Sequence, residues 1–221
     1  MTLQAAVIPV TPFQQNCTLL WDEASKAGWV IDPGGDVPRI QDAIAKFGVN
    51  VERIVLTHGH MDHAGGAAEL RAALPGVRLE GPDQRDAFLL DQLETQGRQF
   101  GIADARNVRP DRWLAEGEAL SLGPTRFEVL HCPGHTPGHI VFIARDAGLA
   151  IVGDVLFQGS VGRTDFPYGD TGALLDAIRD KLMKLPDETA FLCGHGPGST
   201  IGAERRSNPF VREALARPVL R

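Results

Sequence analysis

Thr57 is followed by His58-Gly59-His60-Met61-Asp62-His63, a run that sets three imidazoles and a carboxylate within six residues. Packing does not call for that density, and imidazole with carboxylate is a donor set for divalent cations. His58 and His60 stand two apart, so an extended backbone points both the same way and lets them chelate one ion. Asp62 and His63 fall where the chain turns into a helix, aim elsewhere, and could serve a neighbouring ion. Downstream, His131, His135 and His139 are spaced by four, but Pro133, Gly134, Pro137 and Gly138 forbid the helix that would align them. On a turn the three do not all converge, so at least one is left with a supporting role. Asp154 and His195 each end an apolar run, Leu149–Val152 and Ala190–Cys193, and a side chain at a strand's end can line a cleft. Five imidazoles and two carboxylates so placed suffice for two divalent ions sharing a bridge, with zinc the expected metal.

The elements that must position these groups read as two halves. Ala5–Val10, Cys17–Trp21 and Trp29–Asp32 predict a meander of antiparallel strands. Asp36 can cap a helix with apolar positions Val37, Ile40, Ile44 and Phe47, which Gly48 can close. Arg53–Leu56 predicts a strand, about Ala64 to Leu74 a second helix, and Val77–Glu80 another strand. The polar stretch from Asp83 to Arg112 reads as helical to about Gln96 and then irregular, either a solvated excursion or a cover for the site. Strands resume at Ala119–Leu122, Thr125–Leu130, Ile140–Ala144 and Leu149–Val152, with turns at Gly123-Pro124 and Asp146-Ala147-Gly148. Asp170 can cap a helix through Lys184, Ala190–Cys193 makes a last strand, and Ile201–Arg206 and Phe210–Ala216 predict short helices. Strands followed by helix, twice, predict two sheets packed face to face with helices outside, in one domain over residues 1–221.

Composition narrows the function. The 221 residues carry 22 basic against 28 acidic side chains, a formal charge of -6, which gives no general attraction to nucleic acid or an anionic membrane. The 25 glycines and 15 prolines exceed the usual share and point to shaped loops, where sites are built. No apolar run approaches the ~20 residues of a membrane span, and no basic residue precedes Lys26, so a cytoplasmic address is expected. Cys17, Cys132 and Cys193 are odd in number and lack a CxxC, which predicts reduced thiols.

His58-Gly59-His60-Met61-Asp62-His63, followed in order by His135, Asp154 and His195, resembles the signature of the metallo-β-lactamase superfamily. The resemblance spans nearly the whole chain and includes Asp32 in Ile31-Asp32-Pro33-Gly34-Gly35. Cys132-Pro133-Gly134-His135-Thr136-Pro137-Gly138-His139 and Cys193-Gly194-His195 look most like glyoxalase II, the hydroxyacylglutathione hydrolases. Only 26 residues follow His195, which matches the short bacterial type. The resemblance implies an α/β fold, an αββα sandwich of two mixed sheets. It implies His58, His60 and His135 on a first ion, Asp62, His63 and His195 on a second, and Asp154 as the bridge. It leaves His131 and His139 as supports, and makes Asp32 a buried carboxylate that orients the ligand loop. Asp62 and Asp154 would be the catalytic carboxylates, and the ions zinc, with iron or manganese as alternatives.

The chemistry expected is thioester hydrolysis, with a glutathione conjugate as substrate. Two cations lower the pKa of water from about 15.7 to about 7 and polarise an acyl oxygen, and a thiolate leaves without a strong general acid. Arg163 is the cation expected to meet the anionic part of the substrate. Residues 201–221 add five arginines against two glutamates, either a second basic patch or a solvated face. Gly162-Arg163-Thr164-Asp165-Phe166 also resembles a segment of the persulfide dioxygenases, a mononuclear iron branch of the same superfamily. That chemistry, and a lactonase or β-lactamase-like hydrolase, are the alternatives.

Overall fold

The structure is a computed structural model that describes residues 3–218. Its first sheet runs in the order β1 (Leu3–Val10), β2 (Gln15–Asp22), β3 (Ala27–Ile31), β4 (Asn50–Val55) and β5 (Arg78–Glu80). The first three strands pair antiparallel, and β3, β4 and β5 are parallel. Helices α1 (Val37–Phe47), α2 (Met61–Ala64) and α3 (Ala67–Ala73) belong to this half, with α4 (Ala87–Leu90) and α5 (Leu93–Phe100) following β5. The second sheet contains β6 (Ala119–Leu122), β7 (Thr125–His131), β8 (Ile140–Ala144) and β9 (Leu149–Gly153). After the small hairpin β10 (Leu156–Phe157) and β11 (Ser160–Val161) comes α6 (Thr171–Asp180). Then β12 (Ala190–Cys193) adds parallel to β9, β13 (Ser199–Thr200) forms the edge, and α7 (Ile201–Ser207) and α8 (Pro209–Ala216) end the fold.

Alternation along the strands explains why their apolar runs are unbroken. Leu20, Trp29, Ile31 and Val55 face Phe127, Val129, Ile140, Phe142 and Ile151 in a layer between the two sheets. The intervening Leu19, Val30 and Ile54 face the other way, onto Val37, Ile40, Ala67 and Leu70 of α1 and α3. Val141, Ile143 and Val152 do the same beneath α6, α7 and α8. Both faces of each sheet are therefore buried, as the period of two requires when helices cover the outer sides. Trp29 and Phe127 meet across the middle layer with ring centroids 5.0 Å apart. Burying such side chains contributes roughly 1.5–3 kcal/mol each. Two mixed sheets with flanking helices make the αββα sandwich.

Several local expectations are corrected. Asp36 stands at the start of α1 but does not cap it: its backbone is left-handed (φ 48°), and its carboxylate accepts from the Thr11 N–H at 2.7 Å. The helix expected from Ala64 to Leu74 is two pieces, because Gly65 and Gly66 interrupt it. A Cβ at Gly65 would lie 2.8 Å from the Gly34 carbonyl and one at Gly66 2.8 Å from the Pro33 carbonyl, so this break lets the loop after β3 pass close by. Asp170 does cap α6, accepting from Ala173 N–H at 2.9 Å, but regular helix ends at Asp180 and a 3₁₀ turn continues to Lys184. Helix in the polar stretch reaches Phe100.

Candidate metal centre

The functional side chains gather at one end of the sandwich, at the C-terminal ends of β3, β4, β9 and β12 and on the β7–β8 turn. Backbone hydrogen bonds join these ends: Asp32 N–H to Val55 O (3.0 Å), Ile140 N–H to Thr57 O (2.9 Å), and Gly194 N–H to Gly153 O (2.9 Å). Gly194 is indispensable to the approach, since a Cβ there would collide with Asp154 Oδ1 and come within 2.5 Å of His63 Cε1.

His58, His60 and His135 converge. His60 Nδ1 lies 3.1 Å from His58 Nε2 and 3.0 Å from His135 Nε2. The partners of the remaining ring nitrogens settle the protons. Thr57 Oγ1 donates to Asp32 at 2.6 Å, so it accepts from His58 Nδ1 at 2.9 Å. The Arg163 carbonyl can only accept, so His135 Nδ1 donates to it at 2.8 Å. His58 Nε2 and His135 Nε2 are therefore bare lone pairs aimed at the same point. Burial, then the surrounding imidazoles, pull His58 well below its ordinary pKa, and burial with the His135 ring pulls His60 down to about 3. Uncharged rings presenting lone pairs to one another repel unless a cation sits among them.

A second group forms beside it from Asp62, His63 and His195. His195 Nε2 is 3.3 Å from Asp62 Oδ2, and His63 Nε2 is 3.9 Å from the same oxygen. His63 donates from Nδ1 to Asp32 at 2.9 Å, which leaves Nε2 buried without a hydrogen-bond partner among the described residues. Asp154 lies between the groups: Oδ1 is 3.4 Å from His63 Nε2, and Oδ2 is 3.5 Å from both His135 Nε2 and His195 Nε2. Oδ1 also has no hydrogen-bond partner among the described residues. Burial alone would raise the Asp154 pKa, but His63, His135 and His195 outweigh it and hold the carboxyl well below the usual range. Burial likewise opposes charge on His63, yet Asp154, Asp62 and Asp32 hold its pKa well above the ordinary value. An ionised carboxylate, orphaned buried nitrogens and convergent bare lone pairs are what divalent cations complete. The donor set fits them.

The other sequence-singled residues surround these groups. Asp32, in the left-handed region (φ 53°), uses both oxygens on Thr57 and its second also on His63, so although it clusters with His58 and His63 its lone pairs are engaged. His139 Nε2 accepts the Asp154 N–H at 3.0 Å, and its ring stacks on His58 at 4.6 Å. His131 bonds the Pro137 carbonyl at 2.7 Å, away from the cluster. The Arg163 guanidinium is exposed, pairs with Asp165 at 2.7 Å and lies over Phe166, whose ring faces His60 at 5.0 Å. Among the C-terminal arginines, Arg205 and Arg206 pair with Asp187 and Arg217 with Asp176, while Arg221 lies outside the described residues. The three cysteines are free and buried. No helix among the described residues is long and apolar enough to cross a membrane.

Three participants carry no sequence pattern. Asp86 is fully buried and accepts from Gly59 N–H (2.9 Å), Thr136 Oγ1 (2.7 Å) and Gly138 N–H (2.5 Å), tying together the ligand loops of both halves. The stretch after β5 thus supports the site from behind. Tyr168 places its hydroxyl 2.9 Å from His60 Nε2, and the Gln15 amide lies 3.3 Å from His63 Nδ1.

A family model for the metallo-β-lactamase superfamily matches residues 10–195. The chain belongs to that superfamily. It is 48% identical over 93% of its length to the hydroxyacylglutathione hydrolase GloC of Haemophilus influenzae, covering 96% of that protein. The BLEG-1 B3 metallo-β-lactamase superposes with a TM-score of 0.85 at 33% identity, over 94% of this chain and 99% of that one. TTHA1623, solved in a di-iron-bound form, superposes with a TM-score of 0.83 at 36% identity, over 93% of this chain and 99% of that one. Membership and the donor clusters together make this chain a metal-dependent hydrolase that binds divalent metal.

Proposed function

We propose that the chain is a dinuclear hydrolase that cleaves a glutathione thioester, such as S-lactoylglutathione, to a hydroxy acid and glutathione. The observation that carries the reading is the place of Asp154, with one oxygen toward His63 and the other toward His135 and His195. In this reading His58, His60 and His135 hold one ion, Asp62, His63 and His195 hold the other, and Asp154 bridges. Zinc is the proposed metal, with iron and manganese as the alternatives. Bound ions would supply Lewis acidity, polarising an acyl oxygen and lowering the pKa of water to about 7.

The chain's own groups orient and select. Asp32 fixes the His63 tautomer, and His139 turns the Asp154 backbone so that its carboxylate faces inward. Burial works against ionisation of Asp62, but His63 and His195 hold its pKa below the ordinary value, as they do that of Asp154. Neither carboxylate is then a proton donor at neutral pH. A leaving group that departs as an anion suits such a site, which favours a thiolate over an amine. The likeness to GloC supports glutathione as the thiol.

The deciding experiment measures metal content and turnover together. Zinc-loaded protein should carry two ions and hydrolyse S-lactoylglutathione without consuming oxygen. Oxygen uptake with glutathione persulfide, alongside no thioester cleavage by zinc-, manganese- or iron-loaded protein, would replace hydrolysis with iron-dependent persulfide oxidation.

Two further results are expected. His135→Ala should lose bound metal and activity, whereas His131→Ala, remote from the cluster, should keep both ions; metal counts on the two variants check this. Arg163→Ala should raise KM several-fold with little change in kcat, because a ground-state contact to the anionic substrate is lost. Asp165 engages two nitrogens of that guanidinium and offsets its charge, so Asp165→Asn should lower KM.

A further inference from the structure

The segment between β11 and α6 touches two members of the buried imidazole cluster from outside. Arg163 offers its carbonyl to His135, and Tyr168 sets its hydroxyl 2.9 Å from His60 Nε2. Tyr168 is the only tyrosine in the chain. Its ring lies parallel to Phe166 (centroids 5.3 Å, 13°) and meets Phe88 edge-on at 5.4 Å, so packing aims the hydroxyl.

Two proton arrangements are open to this pair. If the hydroxyl donated to Nε2, the neutral ring would carry its proton on Nδ1 and drive it between His58 Nε2 and His135 Nε2, 3.1 and 3.0 Å away. That proton would occupy the space a cation needs, and it could satisfy only one of the two lone pairs. If the hydroxyl instead accepts from Nε2–H, Nδ1 is bare and all three rings present lone pairs to one point. Three other imidazoles are already set in this way by acceptors behind them: His58 by Thr57, His135 by the Arg163 carbonyl and His63 by Asp32.

We propose that Tyr168 is the positioning residue of His60, its hydroxyl accepting Nε2–H and so holding the Nδ1 lone pair on the ion site. The inference rests on the reading of His60 as a ligand, and on the contact between the hydroxyl and Nε2. It gives the 163–168 segment a function of its own, since one loop then holds two of the three rings of the buried cluster.

Zinc-loaded wild type, Tyr168→Phe and Tyr168→Leu test it. Phenylalanine keeps the ring against Phe166 and Phe88 and removes only the oxygen. Competition with a chromophoric chelator reads zinc affinity, and ¹H–¹⁵N imidazole spectra read the His60 Nε2 proton. Tyr168→Phe should bind one zinc ion about 10–100-fold more weakly, with the His60 Nε2–H resonance shifted and exchanging faster with water. A loss below tenfold in Tyr168→Phe, or an unshifted proton, overturns the proposal; weakening confined to Tyr168→Leu assigns the effect to ring packing and does the same. Neither readout needs substrate. A protein that passes both yet leaves S-lactoylglutathione uncut defeats the thioesterase reading and leaves this one standing.

Discussion

Replacing Asp154 with alanine should lower hydrolysis by on the order of 10³-fold or more, equivalent to roughly 4 kcal/mol of lost transition-state stabilisation. The expectation follows from its position: among the described residues, no other carboxylate faces ring nitrogens of both groups within 3.5 Å. Without it, His63, His135 and His195 lose their shared counter-charge and, on the proposed reading, two ions would lose their common ligand. Metal content should fall below two per chain. The fold should survive, because Asp154 Oδ1 has no hydrogen-bond partner among the described residues to forfeit and the backbone N–H that holds this turn to His139 remains. Metal analysis, circular dichroism and turnover on one preparation check all three. A variant that keeps two ions and full turnover would remove Asp154 from the centre.

Asp86→Ala should be strongly destabilising although Asp86 lies outside the donor set. It strands three buried donors, Gly59 N–H, Gly138 N–H and Thr136 Oγ1, and each unsatisfied buried group costs about 1–3 kcal/mol. The low end of that sum, about 3 kcal/mol, already corresponds to a drop of roughly 6–12 °C in Tm for a chain of this size. The same change unties the loop bearing His58 and His60 from the loop bearing His135, so zinc affinity should fall with stability. Asp86→Asn, which keeps one acceptor oxygen, should fall between. Thermal unfolding of metal-free and zinc-loaded protein measures both effects, and a Tm within 2 °C of wild type would show that the clamp contributes nothing.

Much of the centre was legible because its chemistry is local. His58 to His63 lie within one turn and its approach, and Leu149–Val152 and Ala190–Cys193 announce the strand ends that deliver Asp154 and His195. The supporting residues were not legible. Asp86 acts on Gly138 across 52 positions and Tyr168 on His60 across 108, and neither stands in a repeat, a metal-ligand spacing or a motif. Arg163 stands out in the sequence for its charge, while its carbonyl makes the contact with His135.

What the sequence by itself determined is the succession of short apolar runs bounded by turns with helices between, and hence two sheets sandwiched by helices, together with the donor types that a divalent metal needs. Those follow from local runs, turn residues and chemical identity, which are properties of neighbouring residues. What only the tertiary structure decided is which lone pairs are bare. That depends on the acceptor behind each ring, Thr57, Asp32, the Arg163 carbonyl or Tyr168, and on whether glycine lets two loops approach, as at Gly194 beside Asp154. It also decided that Asp36 serves Thr11 instead of its own helix and that the helix after His63 breaks at Gly65-Gly66. A cap preference or a helical period is worth about 1 kcal/mol or less per residue, and a close backbone contact in the interior overrides it.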